Sequence, residues 1–482
     1  MILGHSHQHI PFQPYTMPPR FHSLPPEIQV MILQDVSREP STAPYATVCS
    51  SWQNFFERKN FRSFAVEQDD LRCLSRFLTA QRQSFVKHIW YRIYLPNSNP
   101  RISTKIKRFE KPKVTFRADR VFTHSIFGLW DILSLWDPKN RITLELSVYA
   151  YDDWAPILRQ ERIFERDLAA YKVHKESGSR EPYRYDNPHG PYIEQYRLWG
   201  LPYADHRIRG HWNACRHDLI GWKDIELTTA RRADARPYYI EENAILPRVP
   251  IISKFLIRNT QFRRIYPGTL LQMFKSFENL EDVTIERWAS VDAGDETDWT
   301  RHASVAFASE LPASVKTLSI NGRKCAVFQD WVSRDVKLRN ILAKRFRQYS
   351  KELAHMSVTD VIDAKDFLDL FRASVSEDDL ESLIRWPDLE TLTLSTDLFE
   401  TQNRVKIEKL LCSAARAARK MPQLRKLEIR SSRHAQCLFR YNVVEAIAEV
   451  TWSGPIVDST DIMKEWEKTS AWRNNIDVIN DF

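Results

Sequence analysis

The chain has 482 residues, a net charge of +8 and 43% hydrophobic residues, which is enough apolar material for a sizeable core. This length predicts two or three domains or one long repeat array. Only 11 glycines are present, and neither the GxGxxG nor the GxxxxGKS/T pattern of phosphate-binding loops occurs. The excess positive charge is spread over a large chain, so it permits acidic partners without requiring them.

The six cysteines and the apolar runs indicate the compartment. No two cysteines stand at CxxC spacing, which is typical of reduced thiols in an intracellular protein of the cytoplasm and/or nucleus. The N-terminus lacks the apolar stretch of a signal peptide, and no run of 18 apolar residues occurs, so no membrane partner is expected. Residues 1–19, which contain several prolines and histidines, are predicted to be a disordered tail.

Two short helical patterns follow the tail. The first runs from about Pro25 to Val36, and apolar residues repeat along one of its faces at helical spacing. The second runs from about Ala43 to Glu57 and carries a similar apolar face around Trp52. Two helices of this length cannot bury so much apolar surface between themselves. Either the rest of the chain or a partner is therefore expected to cover the remainder.

The residues of these helices match a known pattern, which reads LPxEI…IL…VCxxW. This pattern resembles the F-box, a helical module that docks on the Skp adaptor of a cullin-based ubiquitin ligase, and it covers residues 20–64. The resemblance implies the following adaptor-binding residues: Leu24, Pro25, Ile28, Ile32, Leu33, Val48, Trp52 and Phe55. Ser50 and Ser51 depart from the family, which often has a basic residue before the tryptophan. The alternative is that these are simply the first two core helices of a larger domain.

The segment after the F-box-like module alternates between helix and strand patterns. Apolar alternation predicts strands at 89–95 and 142–148, with a helix at 124–136 between them. Residues 97–121 are basic and are predicted to form an exposed loop, with a nucleic-acid patch at 101–120 as the alternative. Residues 150–218 lack periodicity and are predicted to be a long loop insertion.

A repeat begins at Trp222. Strands of the form apolar-x-x-apolar-x-apolar start 28 to 38 residues apart, and several of the intervening segments have a helical pattern. The seven strands are expected at 222–227, 252–257, 280–285, 315–320, 353–358, 389–394 and 424–429. The array resembles leucine-rich repeats, although its periods exceed the usual 20–29 residues and the characteristic asparagine is missing. The chain as a whole thus resembles fungal-type F-box proteins with an irregular repeat array over residues 65–482.

This resemblance implies an α/β fold in which a helical F-box precedes a curved, leucine-rich-repeat-like solenoid. A generic α/β domain with a parallel sheet is the alternative. Because side chains alternate along a strand, the residues that flank the apolar positions are expected to form rows on one exposed face. The candidate substrate-binding residues in these rows are Lys254, Arg258, Asp282, Thr284, Glu286, Thr317, Ser319, His355, Thr391, Thr393, Lys426 and Arg430. Toward the C-terminus, a helix is predicted at 441–450, followed by a short strand and a capping helix at 461–472.

The sequence contains no GxSxG, HExxH or paired CxxC motif, so no catalytic residue, metal site or cofactor is expected. The F-box resemblance implies a non-catalytic, substrate-recognition subunit of a Skp–cullin–F-box ubiquitin ligase. Its partners would be the Skp adaptor, the cullin scaffold and a protein substrate. The alternatives are a repeat scaffold without a ligase role and a nucleic-acid-binding protein, for which the mixed charges of the rows are less suited.

Overall fold

The structure is a computed structural model of the full chain. It describes residues 21–39, 42–95, 112–150, 227, 245–258, 263–289, 293–307, 311–323, 336–372, 384–401, 403–432, 436–444, 447–454, 459–472 and 478–481. The predicted tail at 1–19, nearly all of the predicted insertion at 150–218 and all but the last residue of the predicted strand at 222–227 lie outside these residues. The chain divides into two compact units, Met1–Ser63 and Phe64–Phe482.

The first unit contains two α-helices, α1 (Pro26–Val36) and α2 (Ser50–Asn60). Proline at the start of α1 costs nothing because the first N–H of a helix has no partner within the helix. The second helix begins later than the sequence predicts, since Ala43–Thr47 form a 3-10 turn and Cys49 is extended. The small core of this unit is aromatic, and Phe56 is its fully buried centre.

The second unit is mixed α/β. Its strands are β1 (Ser63–Glu67), β2 (His88–Leu95), β3 (Ile142–Ala150), β4 (Ile252–Ile257), β5 (Asp282–Trp288), β6 (Thr317–Arg323), β7 (His355–Thr359), β8 (Thr391–Thr396), β9 (Lys426–Ser431), β10 (Leu438–Val444), β11 (Ile447–Ser453) and β12 (Val478–Asp481). Its helices are α3 (Leu71–Phe77), α4 (Ala80–Phe85), α5 (Pro112–Leu133), α6 (Pro267–Ser276), α7 (Ala293–Ala306), α8 (Val336–Tyr349), α9 (Ala364–Phe367), α10 (Arg404–Ala418) and α11 (Ser459–Trp472).

All the strands that the structure describes belong to one open, 12-stranded sheet, and their order in the sheet is their order in the chain. From β2 to β9 each strand pairs in parallel with the next one. The strands β9, β10 and β11 then pair antiparallel, and β12 returns to parallel pairing with β11. Because parallel neighbours need a crossover connection, helices stand between most consecutive parallel strands.

The core lies between the sheet and these helices. Alternate strand residues are buried beneath the helices, as shown by Tyr91, whose hydroxyl donates to the carbonyl of Ser125 in α5 at 2.8 Å. On β4, Phe255 packs edge-on against Phe274 of α6. Neighbouring helices also contact each other from α6 through α9 and again between α10 and α11. The opposite side of the sheet carries the remaining side chains and is called the open face below.

Six of the seven predicted repeat strands fall on described residues, and the ends of β4 to β9 lie within three residues of the predicted ends. The predicted strands at 89–95 and 142–148 are β2 and β3. Two predictions were wrong. Residues 441–450 form parts of an antiparallel hairpin, β10 and β11, rather than a helix, because Phe439, Tyr441, Ala448 and Val450 alternate into the core. Helix α5 begins at Pro112, so the basic segment predicted as a loop up to residue 121 is helical in its last part.

Candidate protein-binding surfaces

The first candidate surface belongs to the N-terminal unit. Among the predicted adaptor-binding residues, Pro25, Ile28 and Val48 are exposed and Leu33 is buried, and the others are half-buried: Leu24, Ile32, Trp52 and Phe55. Trp52 is held by neighbouring rings, with centroid distances of 5.4 Å to Phe21 and 5.6 Å to Phe56.

The most exposed large apolar side chain among the described residues of this unit is one that the prediction omitted. Met31 is 62% exposed, and it lies one helical turn from Ile28, which is 41% exposed. Together with Ile32 they follow the i, i+3, i+4 spacing of one face of α1. The signal was present in the sequence, because Met31 belongs to the apolar face predicted for the first helix. The arrangement is an apolar helix face that the unit itself does not cover.

The second candidate surface is the open face. The strand registers bring the predicted substrate-binding residues into three rows that run across the sheet. The first row contains Lys254, Asp282, Thr317, His355, Thr391 and Lys426. The second row contains Thr284, Ser319 and Thr393, with Ser357 between the last two and Glu428 at its end. The third row contains Glu286 and Arg430, and Arg258, which directly follows β4, lies on the same side by strand alternation.

A cluster of charges marks the end of the second row. Glu428 is buried, and its carboxylate accepts hydrogen bonds from Arg430 Nη2 at 2.5 Å and from Arg440 Nε at 2.9 Å. Lys426 Nζ lies 2.9 Å from the same carboxylate. Burial alone would raise the pKa of Glu428, but the bonds from these three cations outweigh it and lower the pKa to about 2. The carboxylate is therefore ionised and holds three cations in place.

A second buried carboxylate lies in the same row on β3. Glu145 is buried, with His88 Nε2 at 3.0 Å from one of its oxygens and Arg258 Nε at 2.9 Å from the other. Next to this cluster Lys254 and Asp282 form an ion pair of 2.7 Å, so positive and negative groups alternate at this end of the face. The two ends of the row thus differ: the Glu145 end is mixed in sign, whereas three cations surround the single carboxylate of Glu428.

Sequence reasoning missed four members of these clusters: His88, Glu145, Glu428 and Arg440. Arg440 lies one residue before the helix predicted at 441–450 and was not assigned to any strand, since the hairpin was not recognised. Glu428 stands between the candidates Lys426 and Arg430 but is not among them, because nothing in its neighbours along the chain shows that it is buried. The alternation of Phe439 with Tyr441 is the sequence signal that could have located Arg440 on the open face.

A buried ion-pair cluster lies at the carboxyl end of β5, where a small pocket is lined by Arg263, Arg264, Arg287 and Trp299 among others. Arg287 donates two parallel hydrogen bonds to Glu296 on α7, at 2.8 and 2.5 Å, and its guanidinium lies 3.7 Å from the centre of the Trp299 ring. This cluster ties the end of β5 to α7.

Among the described residues, no three His, Cys, Asp or Glu side chains come together to hold a metal ion. Burial raises the pKa of Cys412 to about 12, which is the behaviour of a structural thiol rather than a nucleophile. Within the same described ranges, no helix has the length and apolar character needed to cross a bilayer.

Comparison with known families finds one similarity. The model of a family described as "Family of unknown function (DUF6546)" matches residues 310–481. This is rather more than a third of the chain, and it runs from just before β6 to the last residue of β12, so it includes Glu428, Arg430 and Arg440. No curated protein matches the chain. The C-terminal part of the open face is therefore similar to a family whose function is not established.

Proposed function

We propose that this protein is a substrate-recognition subunit of a Skp–cullin–F-box ubiquitin ligase. In this proposal the N-terminal unit is an F-box that docks on the Skp adaptor. The second unit is a curved, leucine-rich-repeat-like solenoid whose open face holds a protein substrate. The chain performs no chemistry itself, because a ubiquitin ligase of this kind acts by bringing the substrate close to a bound conjugating enzyme. It would act in the cytoplasm and/or nucleus.

The observation that carries this proposal is the apolar face of α1. Ile28 and Met31 are exposed on a helix whose unit already has its own aromatic core around Phe56. Val48, which is 59% exposed, adds to the apolar surface of the same unit. Exposed large apolar groups that share one helix face are typical of a site that docks on another protein. The sequence pattern LPxEI…IL…VCxxW supports the Skp adaptor as that protein.

The arrangement of the second unit supports the role in substrate binding. Strands that pair in chain order, with helices between them, place many side chains from distant parts of the sequence on one face. The open face carries charges of both signs at the β3–β5 side and hydroxyl groups in its centre. A nucleic-acid backbone would favour many cations along the whole face, so a protein is the better-suited partner.

A co-purification experiment tests this proposal. The tagged full-length chain is expressed together with the Skp adaptor, and the adaptor retained on the tag is quantified. We expect the double substitution Ile28→Ser and Met31→Ser to abolish retention. Val405→Ser is the matched control, since Val405 is similarly exposed on α10 of the second unit. Retention should be unchanged in this control.

Loss of adaptor retention can be distinguished from loss of the fold. The two substituted residues are exposed, so thermal unfolding of the double variant should match that of the original chain. If the original chain retains no adaptor, or if the double variant retains as much as the original, the F-box assignment is wrong. In that event the repeat scaffold without a ligase role becomes the better interpretation.

A further inference from the structure

The charge cluster at Glu428 leaves an excess of positive charge on the open face. The Glu428 side chain is 1% exposed, whereas those of Lys426, Arg430 and Arg440 are 44%, 54% and 38% exposed. One carboxylate balances one of these cations, so the four side chains of the cluster have a net charge of +2. Because the carboxylate is fixed on a central strand, the cations that bond to it are also held in position.

The two arginines of the cluster have donors to spare. Arg440 bonds to Glu428 through Nε, and Arg430 bonds to it through Nη2. Within the described ranges neither guanidinium makes a further side-chain hydrogen bond. A guanidinium carries five N–H donors in one plane, and a carboxylate accepts two of them in parallel. The Nη1 and Nη2 edge of Arg440 is thus available for a second carboxylate.

A row of small hydroxyl side chains leads away from these cations across the sheet. Thr393 is opposite Glu428, Ser357 is opposite Thr393, and Ser319 is opposite Ser357. All three hydroxyl residues are half-exposed, and among the described residues their side chains have no hydrogen-bond partner. They are short and uncharged, and each can both donate and accept. Such a row suits the backbone of an extended polypeptide, which needs both donors and acceptors.

We propose that the Glu428 cluster and this hydroxyl row bind an extended, acidic segment of a partner protein. Aspartate or glutamate side chains of the segment bond to Arg430 and Arg440, and its backbone crosses the row from Thr393 to Ser319. This inference rests on the proposed function, since it names the class of substrate for the same face. The charge excess selects carboxylates, and the uncharged row distinguishes a peptide from a nucleic acid, whose phosphates would require cations throughout.

Fluorescence anisotropy with the full-length chain tests the inference. The probe is a fluorescein-labelled peptide of alternating glutamate and serine, about ten residues long, which spans about 33 Å when extended. The matched peptide carries glutamine in place of glutamate. We expect the glutamate peptide to bind, the glutamine peptide not to bind, and Arg440→Gln to raise the Kd about tenfold through loss of a charge-assisted bond.

Two further variants keep the result interpretable. Arg248→Gln removes the same charge from an exposed residue near β4 and should leave the Kd unchanged. The paired substitution Glu428→Gln with Arg440→Gln removes the anion together with one cation, so the remaining cluster is not left with an under-partnered buried carboxylate. The net charge of the cluster stays at +2 in this variant, so weaker binding reports the loss of the Arg440 donor edge, and the chain should still unfold cooperatively.

Three results would overturn the inference. The first is no binding of the glutamate peptide, and the second is an unchanged Kd in both Arg440 variants. The third is displacement of the labelled peptide by a single-stranded oligothymidine at a lower concentration than the unlabelled peptide requires. Retention of the Skp adaptor separates this failure from failure of the proposed function. Adaptor retained without peptide binding overturns only the acidic-segment inference, whereas peptide binding without adaptor retention overturns only the ligase role.

Discussion

The indole Nε1 of Trp130 donates a hydrogen bond to Ser276 Oγ at 2.7 Å, although the two residues are 146 positions apart. Ser276, the last residue of α6, also donates to the carbonyl of Met273 three residues earlier. The same pair recurs further on, where Trp386 Nε1 donates to Ser350 Oγ at 2.7 Å just after α8. A serine at the end of a helix thus accepts a buried indole N–H at two different places along the sheet.

Removing one of these serines should destabilise the second unit. Ser350→Ala leaves the Trp386 indole N–H buried without an acceptor, which is expected to lower the free energy of unfolding by about 1–3 kcal/mol. Urea denaturation measures this change. The control is Ser304→Ala, since Ser304 makes the same bond to a carbonyl three residues earlier but on an exposed helix surface. An equal effect of both substitutions would show that the indole bond contributes nothing.

The Glu428 cluster predicts a dependence of stability on pH. The pKa of Glu428 is about 2 in the folded chain, below its ordinary value of 4.5. A lowered pKa stabilises the folded state above about pH 4.5, and this contribution is lost as the pH falls toward 2. Glu428→Gln should therefore lower the free energy of unfolding by about 2 kcal/mol at pH 6 and by much less near pH 2. The value at pH 6 is reduced for screening by solvent, because water reaches the three cations.

Urea denaturation of the original protein and of the Glu428→Gln variant at several pH values measures this difference in the free energy of unfolding. Glu278→Gln is the control, because it removes one exposed partner of Arg248 and should change stability by less than about 0.5 kcal/mol. A cost of Glu428→Gln that is the same at every pH would contradict the assignment of the lowered pKa to this cluster.

Gly322 and Asp360 approach each other closely at the ends of β6 and β7. A Cβ atom on Gly322 would lie 2.9 Å from the backbone oxygen of Asp360, whose φ of 61° is in the left-handed region. Gly322→Ala should destabilise the chain by about 1–3 kcal/mol, since backbone has to shift to admit the methyl group. Asp360→Gly should be neutral or stabilising because glycine adopts this φ without strain. Thermal unfolding of these two variants is compared with that of Ser319→Ala, which is the control on the open face of β6.

The ion pair between Arg287 and Glu296 should be important for stability. Both side chains are largely removed from water, and Glu296→Gln leaves the buried guanidinium without its bidentate carboxylate, at an expected cost of about 3–5 kcal/mol. Asp298→Asn is the control on the same helix, since its pair with Arg301 is exposed and should be worth less than about 0.5 kcal/mol. Urea denaturation distinguishes the two. Similar costs for both would show that burial adds nothing here.

The repeat strands were predictable because one face of each strand is buried. In β5 the apolar residues Val283 and Ile285 alternate with polar ones, and the same alternation recurs in β6 to β8, so both the strands and their exposed rows followed from the sequence. The hairpin was not predictable in this way. The residues at the end of β10 and at the start of β11 are apolar, namely Val443, Val444, Ile447 and Ala448. Such a run fits a helical spacing as well as two strands.

The candidate sites were predictable only in part. Polar residues of the rows could be chosen from alternation, but the burial of Glu145 and Glu428 depends on neighbours from other strands. Their charge partners are also distant in sequence, as with Arg258, which lies 113 positions from Glu145. A single sequence contains no local signal for such pairs. The apolar face of α1 was predictable because it lies within one helix.

The antiparallel strand β10 has a consequence for how the sheet is extended beyond β9. Two reversals of direction restore the original one, so β11 runs the same way as β9, and α11 still packs on α10, with Thr469 Oγ1 donating to the carbonyl of Ala415 at 3.0 Å. The hairpin therefore leaves the packing of these two helices intact. It places Arg440 beside Glu428 without a further helix, which means that a short hairpin adds a strand to the open face, and charged side chains with it, without another strand-and-helix crossover.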